Sequence, residues 1–332
     1  MIKTLKIALA ICILCSLFIF VRATDFGKVS VSIQQVGYKF GLLVFITGIA
    51  YYFGTLSWQY CLGWSSAAIS TARLFLIRHI GETVSLINPA SLVGGETVKA
   101  ILLKDYNLNK NLAVASILSS RAIMIVTQLL MFTLAFTILA LGDETFEIIP
   151  MDSHWLLYGI MAMLLLLGCT YFFWLPVKQR ILTTKHGLLL KQKTRALRLK
   201  IGGVFTELRL LFKHHKKMLL LASLFAAMHW IVGSLEFYFI LKFLGVKASI
   251  PQALLVDMGI IFFKVAGAFI PGQIGVEEYG NKVMLLAIGI PGTEIWITAS
   301  ILRRTRQLIW IAFGIGIYFL IFKRREAVLQ NT

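Results

Sequence analysis

A proline–glycine pair set inside a stretch as apolar as lipid leaves a chain few ways to fold. Residues 250–322 are such a stretch, broken by Phe269-Ile-Pro-Gly-Gln-Ile-Gly-Val-Glu-Glu-Tyr279 and then resuming as a long apolar run. Proline lacks a backbone N–H and glycine is conformationally loose, so Pro271 and Gly272 cannot comfortably continue a helix. Irregular backbone at membrane depth survives only where protein or a water-filled cavity satisfies its polar groups. The break is therefore expected to line a cavity.

A related construction lies earlier, at Ile87-Asn-Pro-Ala-Ser-Leu-Val-Gly-Gly-Glu-Thr-Val-Lys99. Ala115-Ser-Ile-Leu-Ser-Ser-Arg121 follows the first break, and Ala299-Ser-Ile-Leu-Arg-Arg-Thr-Arg306 follows the second at nearly the same distance from its proline. The shared order of proline break, acid, Ala-Ser-Ile-Leu, arginine and apolar run reads as an internal repeat, with repeat 1 at about 65–141 and repeat 2 at about 251–322.

With 58% hydrophobic residues, 14% charged residues and a mean hydropathy of +0.81, the chain is too apolar for a soluble globule. It reads as one all-α polytopic membrane domain over residues 1–332. The formal charge of +18 would suggest nucleic acid in a soluble protein. Here the bases crowd between apolar spans, which fits the anionic cytoplasmic face of a membrane, so no nucleic-acid partner is expected. Cys12, Cys15, Cys61 and Cys169 sit in apolar stretches without metal spacing and read as small core residues. Ile7 to Val21 resembles a secretory core, yet Val21-Arg-Ala23 is a poor cleavage site, so a retained first helix is expected.

Windows long enough to span hydrocarbon occur near 5–21, 38–58, 113–141, 154–175, 218–244 and 295–322. Two interrupted regions, 65–104 and 251–290, each hold two apolar pieces too short to cross alone and are expected to be re-entrant or broken hairpins. The tract from Lys178 to Lys217 holds twelve Lys or Arg against the single Glu207, whereas 142–153 carries Asp143, Glu144, Glu147 and Asp152 with no base. The first is then cytoplasmic and the second external. Lys3, Lys6 and Lys323-Arg-Arg325 place both termini inside, giving six full spans. The hairpins would enter from opposite faces, the inverted-repeat arrangement of many transporters. Within the basic linker 176–217, residues 195–213 mix bases with leucines at helical spacing, as an inner-leaflet helix or a solvated linker helix would.

At these motifs the sequence resembles the transmembrane domain of lysylphosphatidylglycerol synthases, a flippase-like family that also occurs without the synthase domain. Asn88-Pro-Ala-Ser-Leu-Val-Gly-Gly-Glu-Thr-Val-Lys99 is similar to the family's Pro, Gly-Glu and basic block, and Pro271-Gly-Gln-Ile-Gly-Val-Glu-Glu278 to its Pro-Gly-Gly-X-Gly-X-X-Glu block. Gln273 stands where the family usually has glycine, and Glu277 adds an acid beside the expected one. The likeness runs from about Tyr38 to Phe322. It implies transfer between leaflets of an amphipathic lipid, such as an aminoacylated phospholipid or a polyprenyl-phosphate carrier, in a bacterial inner membrane. Aminoacylation is not expected, because no transferase domain follows.

The candidate head-group residues are Glu96, Arg121, Pro271, Gly272, Gly275, Glu278, Arg303 and Arg304. Glu96, Glu277 and Glu278 fall in the first turn of a helix beginning inside the membrane, where a carboxylate complements the helix dipole or meets a base, a proton or a cationic head group. Arg121 and the trio Arg303, Arg304 and Arg306 would bind a lipid phosphate bidentately or neutralise nearby glutamates as structural ion pairs. Three bases outnumber Glu277 and Glu278 by one, which favours an added anion. Glu236, Lys264 and Glu277 are candidate coupling groups, and Glu236 and Lys264 could instead pair with each other as a structural salt bridge. His229 shares a face with Glu236, as a relay or a packing histidine would; Asp257 is expected to be solvated or capping.

No catalytic constellation emerges. His214-His215 lacks metal-ligand partners, and neither a Gly-X-Ser-X-Gly nor a P-loop pattern occurs, so no enzyme activity, metal or cofactor is expected. The rival readings are a membrane-embedded enzyme acting on glycolipid or polyprenyl-phosphate substrates, or an accessory subunit working with envelope-lipid biosynthesis enzymes. An oligomer is compatible with either.

Overall fold

The computed structural model describes residues 36–63, 69–87, 91–106, 108–141, 209–267 and 275–322, with 31, 34, 202–204, 206–207 and 273. Windows 5–21 and 154–175, most of the basic linker, Lys323 to Arg325, and Pro271 and Gly272 lie outside the described residues.

The described residues form helices joined by short turns, and no strand occurs among them. A short 3-10 turn at Gly37–Lys39 leads into α1 (Phe40–Cys61). The first interrupted region is two helices, α2 (Thr71–Ile87) and α3 (Ser91–Leu102). A 3-10 turn at Leu103–Tyr106 connects them to α4 (Lys110–Leu141). After the undescribed segment come α5 (Lys216–Phe243), the second pair α6 (Ile250–Ala266) and α7 (Val276–Ala287), and α8 (Thr293–Ile317), which ends in a π-turn at Tyr318–Phe322. By length and composition, three of these stretches are able to cross a membrane: Gly37–Cys61, Lys110–Leu141 and Lys216–Phe243. Helix α8 occupies the sixth predicted window, but Arg303, Arg304 and Arg306 at its centre keep it out of that group.

Local chemistry explains the helix boundaries and interiors. In α1 the hydroxyls of Thr47 and Thr55 each donate to the carbonyl four residues back, at 2.9 Å, so neither group goes unsatisfied in apolar surroundings. Ser249 caps α6 through a reciprocal box with Gln252, and Pro251 sits in the first turn, where a missing N–H costs nothing. Gly275 precedes α7 with φ of +81°, a left-handed backbone that favours glycine. The Glu278 carboxylate accepts from its N–H at 2.8 Å.

Helices α1 and α5 pack along each other over most of their length. They run antiparallel: Phe40 and Leu43 at the start of α1 share one core with Ile240 and Leu241 at the end of α5, whereas Trp58 and Cys61 share a second core with Ala222 and Ala226. Each hairpin builds one of these cores. Residues of α2 (Leu74, Ile77, Ile80) belong to the second, and residues of α6 (Leu254, Met258, Ile260) to the first. Helix α4 joins both, through Ala113 and Ile117 at one end and Ala135 and Leu139 at the other; α8 does the same in reverse, through Ala299 and Leu302 and then Ile317. Each long helix therefore packs against the other hairpin, α4 on α6 and α8 on α2.

The α2–α3 crossing is very close. A Cβ at Gly95 would fall onto the carbonyl oxygen of Gly81 and the Ser85 hydroxyl, so only glycine fits.

Candidate functional site

Between the two apolar cores lie two clusters of buried charge, one per hairpin. Helices α2, α3 and α4 supply the first. Lys99, with its side chain 7% exposed, bridges Glu82 at 2.7 Å and Glu96 at 3.3 Å. Arg121 approaches Glu96 at 3.9 Å but leaves 47% of its side chain exposed. Arg78 and Glu82 stand one turn apart on α2, and Glu82 lies within electrostatic reach of Lys99, Arg78 and Arg121 together. Buried Arg78 donates to the Tyr51 carbonyl at 3.0 Å and lies over the Tyr51 ring, and no carboxylate among the described residues is within ion-pair distance of it. Gly54 makes room for that guanidinium, since a Cβ there would meet it at 2.6 Å.

The second cluster is denser. Arg303 bridges Asp257 at 2.7 Å and lies 3.4 Å from Glu277, while Lys264 reaches Glu277 at 3.1 Å. Arg304 pairs with Glu278, and Arg306 with Glu236 at 2.8 Å across 70 residues of sequence. Nη1 of Arg303 is buried without a hydrogen-bond acceptor. Between the clusters, His79 donates to the Trp310 carbonyl at 2.7 Å, and the rings of Tyr51, His79 and Trp310 meet edge to face or tilted.

The sequence-predicted residues other than Pro271 and Gly272, which lie outside the described residues, each have a place. Glu96 and Arg121 meet in the first cluster; Gly275, Glu277, Glu278, Arg303, Arg304 and Lys264 gather in the second, with Glu236 arriving from α5. The arginines thus divide between two clusters. Four expectations are corrected. Glu96 is not in the first turn of its helix, because α3 begins at Ser91 and carries no acid in its first turn. Glu236 and Lys264 do not pair with each other; Glu236 takes Arg306 and Lys264 takes Glu277. Asp257 is neither solvated nor capping, because it faces inward and holds Arg303. Nor do the described residues show the surplus base expected beside Glu277 and Glu278. Lys264, Arg303, Arg304 and Arg306 face Asp257, Glu236, Glu277 and Glu278, four against four. His229 packs as a satisfied histidine, donating from Nδ1 to the Ala50 carbonyl at 2.6 Å.

Arg78, His79 and Glu82 were not singled out in the sequence. Their signal was an i, i+4 pair of opposite charges within a segment otherwise apolar enough for a membrane, which is costly unless the pair is buried for a reason.

Buried ion pairs at this density in an apolar helical chain are what a membrane-embedded polar pathway requires. A family model for the lysylphosphatidylglycerol synthase TM region matches residues 4–316. The chain belongs to that family. As a member of the lysylphosphatidylglycerol synthase TM-region family it is a membrane protein with a lipid-related function. Searches of curated proteins and of solved structures gave no match. Among the described residues no group of His, Cys, Asp and Glu could hold a metal ion.

Proposed function

We propose that this chain is a lipid translocase, moving a phosphate-bearing lipid between the leaflets of a bacterial inner membrane. The observation that carries the reading is the placement of one buried charge cluster on each hairpin, both set between the two apolar cores that the antiparallel α1–α5 pair joins. Charged groups at membrane depth are expensive unless they pair with one another or line a polar path. A lipid head group needs such a path, while its tails need none.

The packing supports an inverted repeat in which α1–α4 correspond to α5–α8. Exchanging the two sets maps α4 on α6 to α8 on α2, and it maps each hairpin to the other. The repeat motifs fall in the same order: an acid on the second helix of each hairpin, Glu278 in the first turn of α7 and Glu96 at the sixth residue of α3, then Arg121 and Arg303 well inside α4 and α8. With windows 5–21 and 154–175 added, the topology is six spans plus two hairpins with both termini cytoplasmic. Glu96 and Glu278 hold the bases of the path in register and meet a cationic group or a proton when the lipid passes. The reading is transport, supported by the pairing of Glu82, Glu236, Asp257, Glu277 and Glu278 with bases among the described residues.

The test is reconstitution in vesicles carrying a fluorescent phospholipid, with a membrane-impermeant quencher outside. Translocation makes the inner-leaflet half of the signal quenchable. Quenching that stops at the outer-leaflet half, as in protein-free vesicles, contradicts the proposal, and chemical alteration of the lipid transfers support to an enzyme.

A further inference from the structure

The two charge clusters differ in their sums, and the difference assigns the lipid phosphate to one of them. Among the described residues the α6–α8 cluster is neutral at four against four. The α2–α4 cluster is not: Arg78, Lys99 and Arg121 face only Glu82 and Glu96, which leaves one positive charge uncompensated among the described residues. An unmatched charge away from water is costly, and one added anion removes that cost.

The position of Arg121 shows where the anion arrives. It lies 11 residues into α4, about 17 Å along the axis at the usual rise per residue. Its neighbours one turn to either side, Leu118 and Ile125, are 48% and 45% exposed. Exposed leucine and isoleucine on a membrane helix face lipid, so Arg121 stands in the same stripe with nearly half its side chain uncovered and the Glu96 carboxylate at 3.9 Å. Toward the start of α4 that stripe runs through Val114 into a groove of ≈190 Å³ between α3 and α4, whose lining includes Ile101, Leu108 and two lysines, Lys104 and Lys110. An apolar channel rimmed by bases and leading to a half-exposed arginine, in a cluster with one positive charge to spare among the described residues, complements one molecule, a phospholipid.

We infer that the α3–α4 seam is a lateral phospholipid site, in which Arg121, supported by Lys99 and Arg78, binds one phosphodiester while the tails lie along Leu118 and Ile125. This deepens the translocase reading and rests on it only for the meaning of the site. A single phosphodiester charge neutralises the cluster; a phosphomonoester, at about −1.5 to −2, overshoots it.

The test is native mass spectrometry of the full chain titrated with phosphatidylglycerol, with thermal melting of each variant as the folding control. Wild type is expected to keep one phosphatidylglycerol. Arg121→Gln is expected to weaken it by about tenfold or more, the usual worth of a charge-assisted hydrogen bond. Glu96→Gln raises the cluster by one positive charge and is expected to bind as tightly or tighter. Lys242→Gln, an exposed base elsewhere, should leave binding unchanged. If Arg121 is only the structural partner of Glu96, the two glutamine variants behave alike, and that result overturns the inference. Retention undiminished in Arg121→Gln also overturns it, as does equal competition by inorganic phosphate, which makes the ligand a free anion. A benzophenone side chain at position 118 that captures only protein shows the stripe to be covered by the chain itself and refutes the lipid seat. Lipid bound in this way but never moved leaves the site intact and removes the translocase, whereas lipid moved equally by Arg121→Gln does the reverse.

Discussion

Removing Arg306 should destabilise the protein more than removing any exposed base, and removing Glu236 with it should undo most of the damage. The two side chains are 10% and 6% exposed and meet at 2.8 Å, joining α8 to α5. Arg306→Met leaves the Glu236 carboxylate buried without a cation. Arg303 cannot replace it, because it is already held by Asp257 at 2.7 Å and lies against Glu277. Breaking a buried pair by deleting one partner costs about 3–5 kcal/mol. At roughly 2–4 °C per kcal/mol, that is a fall in melting temperature on the order of 10 °C, measured by tryptophan fluorescence in detergent. Glu236→Leu with Arg306→Met replaces the pair by apolar groups, a change that is often neutral or stabilising. The double variant should melt within about 3 °C of wild type by the same conversion. A single variant that melts with wild type, or a double variant no better than the single, would refute the claim that the pair is desolvated and mutually dependent.

Gly95→Ala should open the α2–α3 hairpin, since its Cβ collides with the backbone of Gly81; a loss of about 1–3 kcal/mol is expected in chemical denaturation, while Gly316→Ala, which meets nothing within 4 Å, should be close to silent. Gly275→Ala has open space around its Cβ and suffers only from φ of +81°, so about 1–2 kcal/mol is expected, with Gly275→Asn milder. Reversing Arg304 and Glu278 together, as Glu278→Arg with Arg304→Glu, should restore much of the stability lost by either change alone, because the pair joins α7 to α8 through charge of either order. With the native cysteines replaced, single cysteines at 143 and 187 should label only from outside and only from inside, respectively; labelling from one side for both would break the inverted topology.

Much of the helical layout was legible because membrane helices announce themselves by length. Windows 38–58, 113–141 and 218–244 became Phe40–Cys61, Lys110–Leu141 and Lys216–Phe243, with ends shifted by three residues or fewer. The broken regions resolved into α2 with α3 and α6 with α7, as two short apolar pieces around a proline imply. Pairing was harder to read. Arg306 and Glu236 are 70 residues apart, and Asp257 and Arg303 are 46 apart. Neither spacing is periodic, so only the fold could show that Asp257 faces inward. The acids beside Arg303 and Arg304 in sequence space were counted without the two arriving from α5 and α6, which is why a surplus base was expected there. On α2, the Arg78 and Glu82 pair was concealed by the apolar average around it, although opposite charges one turn apart are a local signal.

The most direct test of the central claim measures lipid movement in a variant that still folds. Vesicles containing wild type, Glu278→Gln or Arg304→Gln are compared by leaflet-selective quenching, each protein first shown to melt cooperatively. If the charge clusters line the path of a head group, wild type makes the inner-leaflet lipid quenchable and the folded variants do so at least about tenfold more slowly, the effect of losing one charge-assisted contact. Folded variants that move lipid at the wild-type rate would show that the clusters only hold the helices together, and a wild type that moves none would contradict the translocase itself.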